Sequence, residues 1–256
     1  MPKKSRKSNK NRHNNNHDTN IVNPYFDDNG ASRNDWHPLD KVIDGRRDQK
    51  YVKNIKPRSA GQADLMQAID EYNLTLAVGP AGTGKTYIAI SKAVEALEKG
   101  EVERIILSRP AMEAGESIGY LPGGLDEKMA PYLRPLYDAL GDRMGGKKVR
   151  QYLADGTIEI APVGFMRGRT LNNSYVVIDE AQNCTYGQLK MLLSRLGWHS
   201  TMIVTGDPDQ SDLLDGVSGL ADIMKRVNAL PNIAVCRLGA ADIVRHPLVA
   251  EMLTVL

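Results

Sequence analysis

Apolar positions along the chain follow two alternating patterns. The first has helical spacing. It spans Ala60–Tyr72, with Leu65, Met66, Ala68 and Ile69 on one face, and Thr86–Leu97, which Gly100 is placed to end. It recurs over Met129–Leu140, despite Pro131 and Pro135. The second pattern is a set of short, continuous apolar runs: Leu74–Val78, Arg104–Ser108 with its Ile105-Ile106-Leu107 centre, Tyr175–Ile178 and Met202–Thr205. Runs of this length between helices predict strands buried on both faces, hence a mostly parallel sheet with helices on each side. The expected class is α/β, one layered domain of roughly 200 residues occupying 51–256.

Residues 1–50 break both patterns. The first 20 hold Lys3, Lys4, Arg6, Lys7, Lys10 and Arg12 against one acid, Asp18, together with six asparagines. Such a segment offers too little apolar surface to offset its ordering entropy and is expected to be a disordered basic tail. It reads either as a sequence-blind nucleic-acid tether or as a plain solvated tail. Residues 21–50 read as a linker broken by Pro24, Gly30, Pro38 and Gly45. The tail hides in the total, because 33 basic and 31 acidic residues leave a formal charge of +2.

Other features exclude classes or stay bland. No apolar run approaches the ~18 residues of a membrane span, and none follows the basic N-terminus as a secretory signal would. Two cysteines, Cys184 and Cys236, lack metal-ligand spacing and fit a reducing compartment, so a cytoplasmic location is expected. Cys184 is read as partly buried and without chemistry. His13 and His17 lie in the tail and are not read as metal ligands. Met129, Met144, Met166, Met191 and Met224 are read as packing residues, and Gly141–Lys148 as a mobile turn.

The strongest chemical signal is Gly79-Pro80-Ala81-Gly82-Thr83-Gly84-Lys85-Thr86, which matches G-x-x-x-x-G-K-[ST] between a predicted strand and a predicted helix. Its glycines let backbone N–H groups curl around phosphate, and the helix N-terminus adds positive potential. Lys85 is placed to reach the β- and γ-phosphates, and the Thr86 hydroxyl to bind Mg²⁺. A second motif, Tyr175–Glu180, is an apolar strand ending in two acids. Asp179 is placed to hold Mg²⁺ through water, and Glu180 to orient and deprotonate an attacking water. That favours hydrolysis over phosphoryl transfer to a small acceptor. A third strand runs into Gly206-Asp207-Pro208-Asp209-Gln210, where Gln210 is placed to hydrogen-bond phosphate or water. A simple polar turn is the alternative there.

Asp179-Glu180-Ala181-Gln182-Asn183 and Gly206–Gln210 are similar to motifs of superfamily 1 helicases. Longer strings resemble the PhoH-like family: Ser108–Glu116, Ile118–Gly123, Phe165-Met166-Arg167-Gly168-Arg169-Thr170 and Asp242-Ile243-Val244-Arg245-His246-Pro247-Leu248. The resemblance runs over residues 53–256. It implies a RecA-like P-loop ATPase related to helicase motor cores and linked to RNA metabolism, with ATP and Mg²⁺ as cofactors. It also implies that Gln62 reads adenine, that Arg109 contacts a nucleic-acid backbone, and that Arg245 is a finger or sensor at the phosphates. Arg167 and Arg169 flank Gly168 in a basic loop that contacts RNA or a neighbouring subunit, or is merely solvated.

Two-domain helicase motors draw their arginine from a second domain, and the stretch after Gln210 is too short to hold one. Arg245 is therefore expected to act on a neighbour's ATP in a homo-oligomeric ring, most simply a hexamer. Two functions stay open. One is an Mg²⁺-dependent ATPase coupled to single-stranded RNA, with helicase activity as its furthest extension and DNA not excluded. The other is a nucleotide-gated ring that binds RNA or a partner with negligible turnover. No membrane partner is expected.

Overall fold

The structure, a computed structural model, describes residues 55–110, 125–214 and 216–244. The tail and linker, His13, His17, the stretch 111–124 and Arg245 lie outside the described residues, as does the side chain of Met129. Helix α1 (Ala60–Glu71) leads into β1 (Leu74–Val78), α2 (Lys85–Lys99), β2 (Arg104–Arg109), α3 (Leu125–Met144) and α4 (Gly146–Ala154). The chain continues through β3 (Ile158–Pro162), β4 (Ser174–Ile178), α5 (Tyr186–Leu193), β5 (Thr201–Gly206), α6 (Leu220–Val227) and β6 (Ile233–Arg237). The six strands form one sheet in the order β3-β2-β4-β5-β1-β6, and every pairing is parallel.

Alternation along the strands divides the core between two faces. Leu74, Leu76, Val78, Val176, Ile178, Met202 and Val204 join one cluster with Leu189 and Leu192 of α5 and Leu220, Ile223, Met224 and Val227 of α6. On the other face pack α1, α2 and α3. There the Thr75 hydroxyl donates to the Ala68 carbonyl of α1 at 3.4 Å. Helices thus cover both faces, as a parallel sheet requires. The strand carrying the phosphate loop and the strand carrying the acids are not neighbours, because β5 lies between them. This is the α/β, RecA-like P-loop NTPase architecture.

The predicted elements are present with ends moved by a few residues. The largest shift is α3, which starts at Leu125 and runs on to Met144. The expected mobile turn at Gly141–Lys148 is a correction. Leu140, Met144, Val149 and Leu153 are buried, so one apolar face continues through the segment. Only Gly145, at φ 82°, breaks it into α3 and α4. Cys184 is fully rather than partly buried. Met144, Met166 and Met224 are buried and Met191 packs against the core, as expected of packing residues. Among the described residues no helix is long and apolar enough to cross a membrane.

Candidate nucleotide site

Because all six strands run the same way, the turns after β1, β2, β4 and β5 emerge on one edge of the sheet, where ligands of such sheets sit. The loop after β1 is held by its own backbone. Gly79 takes φ 140°, and a Cβ there would collide with the Leu238 carbonyl oxygen. The Gly79 N–H donates to Gly206 O at 3.2 Å, and the Leu238 N–H to Val78 O at 2.8 Å. The Thr83 hydroxyl closes the loop on the Pro80 carbonyl at 2.9 Å.

Lys85 opens α2 and folds back into this loop. Its ammonium donates to the carbonyls of Gly79 (2.5 Å) and Pro80 (2.8 Å) and to the Thr83 hydroxyl (3.4 Å). Burial lowers its pKa from the ordinary lysine value, and the charges of Asp207, Glu180 and Asp179 raise it back in part. Among the described residues its ammonium has no carboxylate within ion-pair distance, so the cation is carried by loop carbonyls and suits a phosphate.

Asp179, nearly fully buried at the end of β4, accepts at Oδ1 from the hydroxyls of Thr86 (2.5 Å) and Thr205 (2.7 Å). A carboxylate and a hydroxyl side by side form the hard-oxygen donor pair that suits Mg²⁺, which takes few protein ligands and completes its shell with phosphate and water. Among the described residues no group of three or more His, Cys, Asp or Glu is placed to hold a metal.

Glu180 follows in left-handed backbone, φ 52° and ψ 44°, uncommon for a non-glycine residue. Its Oε2 accepts from Gln182 Nε2 at 2.6 Å, and its Oε1 lies 3.5 Å from Arg109 Nη2. Lys85, Thr86, Asp179, Glu180, Asp207 and Gln210 line one cleft of about 300 Å³, together with Ala81, Gly82 and Gly84 of the loop. That volume lies at the small end for ligand clefts and suits the phosphate end of a nucleotide.

The remaining predicted residues are placed as follows. Gln62 is buried and spends both ends of its carboxamide on protein: Nε2 donates to Thr83 O and Oε1 accepts from Arg58 N, each at 2.9 Å. It therefore braces the phosphate loop. Arg109 lies within 3.6 Å of Asp179 as well as near Glu180. Arg169 is paired bidentately with Glu159 at 2.5 and 2.7 Å, whereas Arg167 is exposed. Gln210 is exposed at the cleft, its N–H on Asp207 O. Arg245 is outside the described residues, but Val244 N donates to Gly82 O at 2.9 Å, so the C-terminal segment reaches the phosphate loop. Asp242 anchors that segment by accepting from Gly239 N (2.8 Å) and Gly61 N (3.1 Å). The Gly239 amide first, then the Ser59 side chain and the Gly61 amide, hold its carboxyl below the usual range.

Sequence reasoning assigned no role to Gln182, Asn183 or Thr205. Gln182 bridges Glu180 and the Asp207 backbone N–H (3.0 Å). Asn183 exchanges two hydrogen bonds with Asp212, at 2.6 and 2.9 Å. The signal lay in Asp179–Asn183 itself, where two amide side chains follow two acids across a single alanine, Ala181. Spacing alone does not show what they bond.

The chain is 52% identical over 202 residues to a PhoH-like protein of Bacillus subtilis, covering 78% of this chain and 63% of that one. It is 50% identical over 201 residues to a PhoH-like protein of Mycobacterium tuberculosis, covering 78% and 57%. The chain thus spans about three fifths of the length of the curated relatives it matches. Among solved structures, the large terminase of a thermophilic bacteriophage superposes with a TM-score of 0.47 at 11% identity, over 78% of this chain and 50% of that one. The family model for PhoH-like proteins matches residues 54–256, a span that contains the phosphate loop, the acidic turn and the Asp242 segment, and the chain belongs to that family.

Proposed function

We propose that this chain is an Mg²⁺-dependent ATPase whose turnover is coupled to single-stranded RNA. The observation that carries the reading is the convergence of Lys85, the Thr86–Asp179 pair and Glu180 on one cleft. The loop amides and Lys85 bind the phosphates, and Thr86 with Asp179 would hold the metal. A metal held there would supply Lewis-acid neutralisation of the charge that develops on the phosphates. Glu180 takes the proton of the attacking water. Gln182 ties Glu180 to the Asp207 backbone, so a change at the phosphates is felt in the loop that carries Gln210. Arg109 and the exposed Arg167, with Arg169 behind it, are the proposed contacts for the nucleic-acid backbone.

Steady-state ATP hydrolysis with Mg²⁺, with and without single-stranded RNA or DNA, tests the reading. Glu180→Gln is expected to lower turnover by about 10²–10⁴-fold while nucleotide still binds, the range for loss of a general base. RNA is expected to stimulate the unaltered protein more than DNA. Equal rates in the protein and the variant would leave the nucleotide-gated binder as the better reading. Unwinding of a tailed duplex in the same samples decides whether hydrolysis drives strand separation.

The proposal extends to a homo-oligomeric ring in which Arg245 serves a neighbour's phosphates. Mixing inactive Glu180→Gln chains with inactive Arg245→Ala chains is expected to restore turnover, because some interfaces then combine an intact glutamate with an intact arginine. No recovery on mixing places the arginine in its own chain's site.

A further inference from the structure

Arg109, proposed as a nucleic-acid contact, also touches the proposed base. The β2–β4 ladder pairs Ser108 with Ile178, and the Asp179 N–H donates to Ser108 O at 2.8 Å, so Arg109 stands abreast of the two acids. Its guanidinium lies 3.6 Å from Asp179 Oδ2 and 3.5 Å from Glu180 Oε1. We propose that Arg109 is a positioning residue that restrains Glu180 until a nucleic-acid phosphate draws the guanidinium away. This rests on the RNA-coupled ATPase reading and supplies its coupling step.

The two oxygens of Glu180 are held unequally. Oε2 receives a short bond from Gln182, 2.6 Å, and Gln182 is itself buried and fixed by the Asp207 N–H. Oε1 faces Arg109 at a distance well beyond the ~2.7–2.9 Å of a strong charge-assisted bond. The Arg109 side is therefore the one that yields. A water attacking phosphate must find an accepting lone pair on Glu180, and it competes with the guanidinium for Oε1.

A phosphodiester is well suited to win that guanidinium, since Arg binds phosphate bidentately in fixed fork geometry. The Arg109 side chain is 16% exposed, hence reachable, while that of Asp179 is only 3% exposed. Asp179 also loses little when Arg109 leaves, because its other oxygen keeps the hydroxyls of Thr86 and Thr205. Withdrawal of one cation thus frees the base and leaves the proposed metal ligands in place. By linkage, a nucleotide state that holds Glu180 away from Arg109 also strengthens nucleic-acid binding.

The test is ATP turnover by the full chain and its Arg109→Gln variant, with and without a single-stranded RNA oligomer. Restraint predicts that Arg109→Gln raises the RNA-free kcat about fivefold, the rate equivalent of ~1 kcal/mol for a partly exposed ion pair, with KM for ATP unchanged. It also predicts that the stimulation ratio falls toward one. The double variant Arg109→Gln/Glu180→Gln must be inactive, since the gain passes through Glu180. Arg109→Lys keeps the charge but not the fork, so it gives an intermediate RNA-free rate and remains informative if the glutamine variant melts early. A fall in RNA-free kcat at unchanged melting temperature overturns the restraint, as does a raised KM with no gain in rate, which would make Arg109 an ATP ligand. If the unaltered chain shows no RNA stimulation but Arg109→Gln still gains RNA-free turnover, the RNA reading has failed and the restraint stands.

Discussion

The loop after β1 and the paired turns after β4 and β5 meet at one cleft, yet they are built differently. The first is made of backbone. Its shape comes from Gly79 at φ 140°, from the Gly79–Gly206 and Leu238–Val78 hydrogen bonds, and from Lys85 donating to loop carbonyls. The second is made of side chains. Glu180 sits in left-handed backbone, Gln182 joins it to the β5 turn, and Asn183 clasps Asp212. A backbone cradle tolerates few residue types but depends little on any one side chain beyond its lysine. A side-chain net accepts more backbone variation and fails when one amide is lost.

That contrast breaks most sharply at glycine. Gly79→Ala places a Cβ against the Leu238 carbonyl in a conformation that L residues avoid, and is expected to cost about 3 kcal/mol. Gly168 is the control. It too has positive φ, 78°, but a Cβ there meets nothing within 4 Å, so Gly168→Ala is expected to cost only about 1 kcal/mol. Urea denaturation of both variants checks the pair. Equal costs would mean that backbone strain alone, rather than the packing of β6 against the loop, sets the loop's intolerance.

The side-chain net should respond in activity as much as in stability. Gln182→Leu leaves the Asp207 N–H without its buried acceptor and frees Glu180 Oε2. The expected loss of stability is about 2 kcal/mol, as for one buried donor left unsatisfied. The expected loss in kcat is about tenfold from a base no longer aimed, with KM for ATP nearly unchanged. Loss of stability with unaltered kcat would show that the net braces the turns without orienting Glu180.

The same division explains what could be read before the structure. Glycine spacing announces a backbone cradle, so residues 79–86 were legible, and so were β1, β2, β4 and β5, whose apolar runs need no partner to be recognised. The edge strands were not. In β3, Glu159 interrupts the apolar pattern to pair with Arg169, and β6 is only half buried, with Ala234 and Cys236 among its residues. Gly145-Gly146 looked like a turn because two adjacent glycines usually make one. Here the first alone makes the break and the second begins α4. Gln182 and Asn183 were visible as letters, but the partners that tie them to the next turn, Asp207 and Asp212, lie 25 and 29 residues further along, and no local pattern links them. Gln62 shows the reverse case. The family resemblance implied that it reads adenine, whereas its carboxamide is committed here to Thr83 and Arg58.

The smallest expected effect concerns charge in the backbone cradle. Burial lowers the Lys85 pKa, and a bound phosphate, being an anion beside the ammonium, raises it again. Binding therefore takes up a proton wherever free Lys85 has begun to lose one. Affinity is full below the lowered pKa of the free protein and declines as pH rises through it, starting before an ordinary lysine would titrate. The slope can reach but not exceed about tenfold per pH unit, the limit for one linked proton. A decline shallower than that limit is expected on the alkaline side, beginning below the ordinary lysine range, measured with a fluorescent nucleotide and Mg²⁺. Lys85→Arg stays charged throughout and should bind with no such slope, even if more weakly. If the slope persists in the arginine variant, another group titrates, and the cradle's charge is not set by the burial of Lys85.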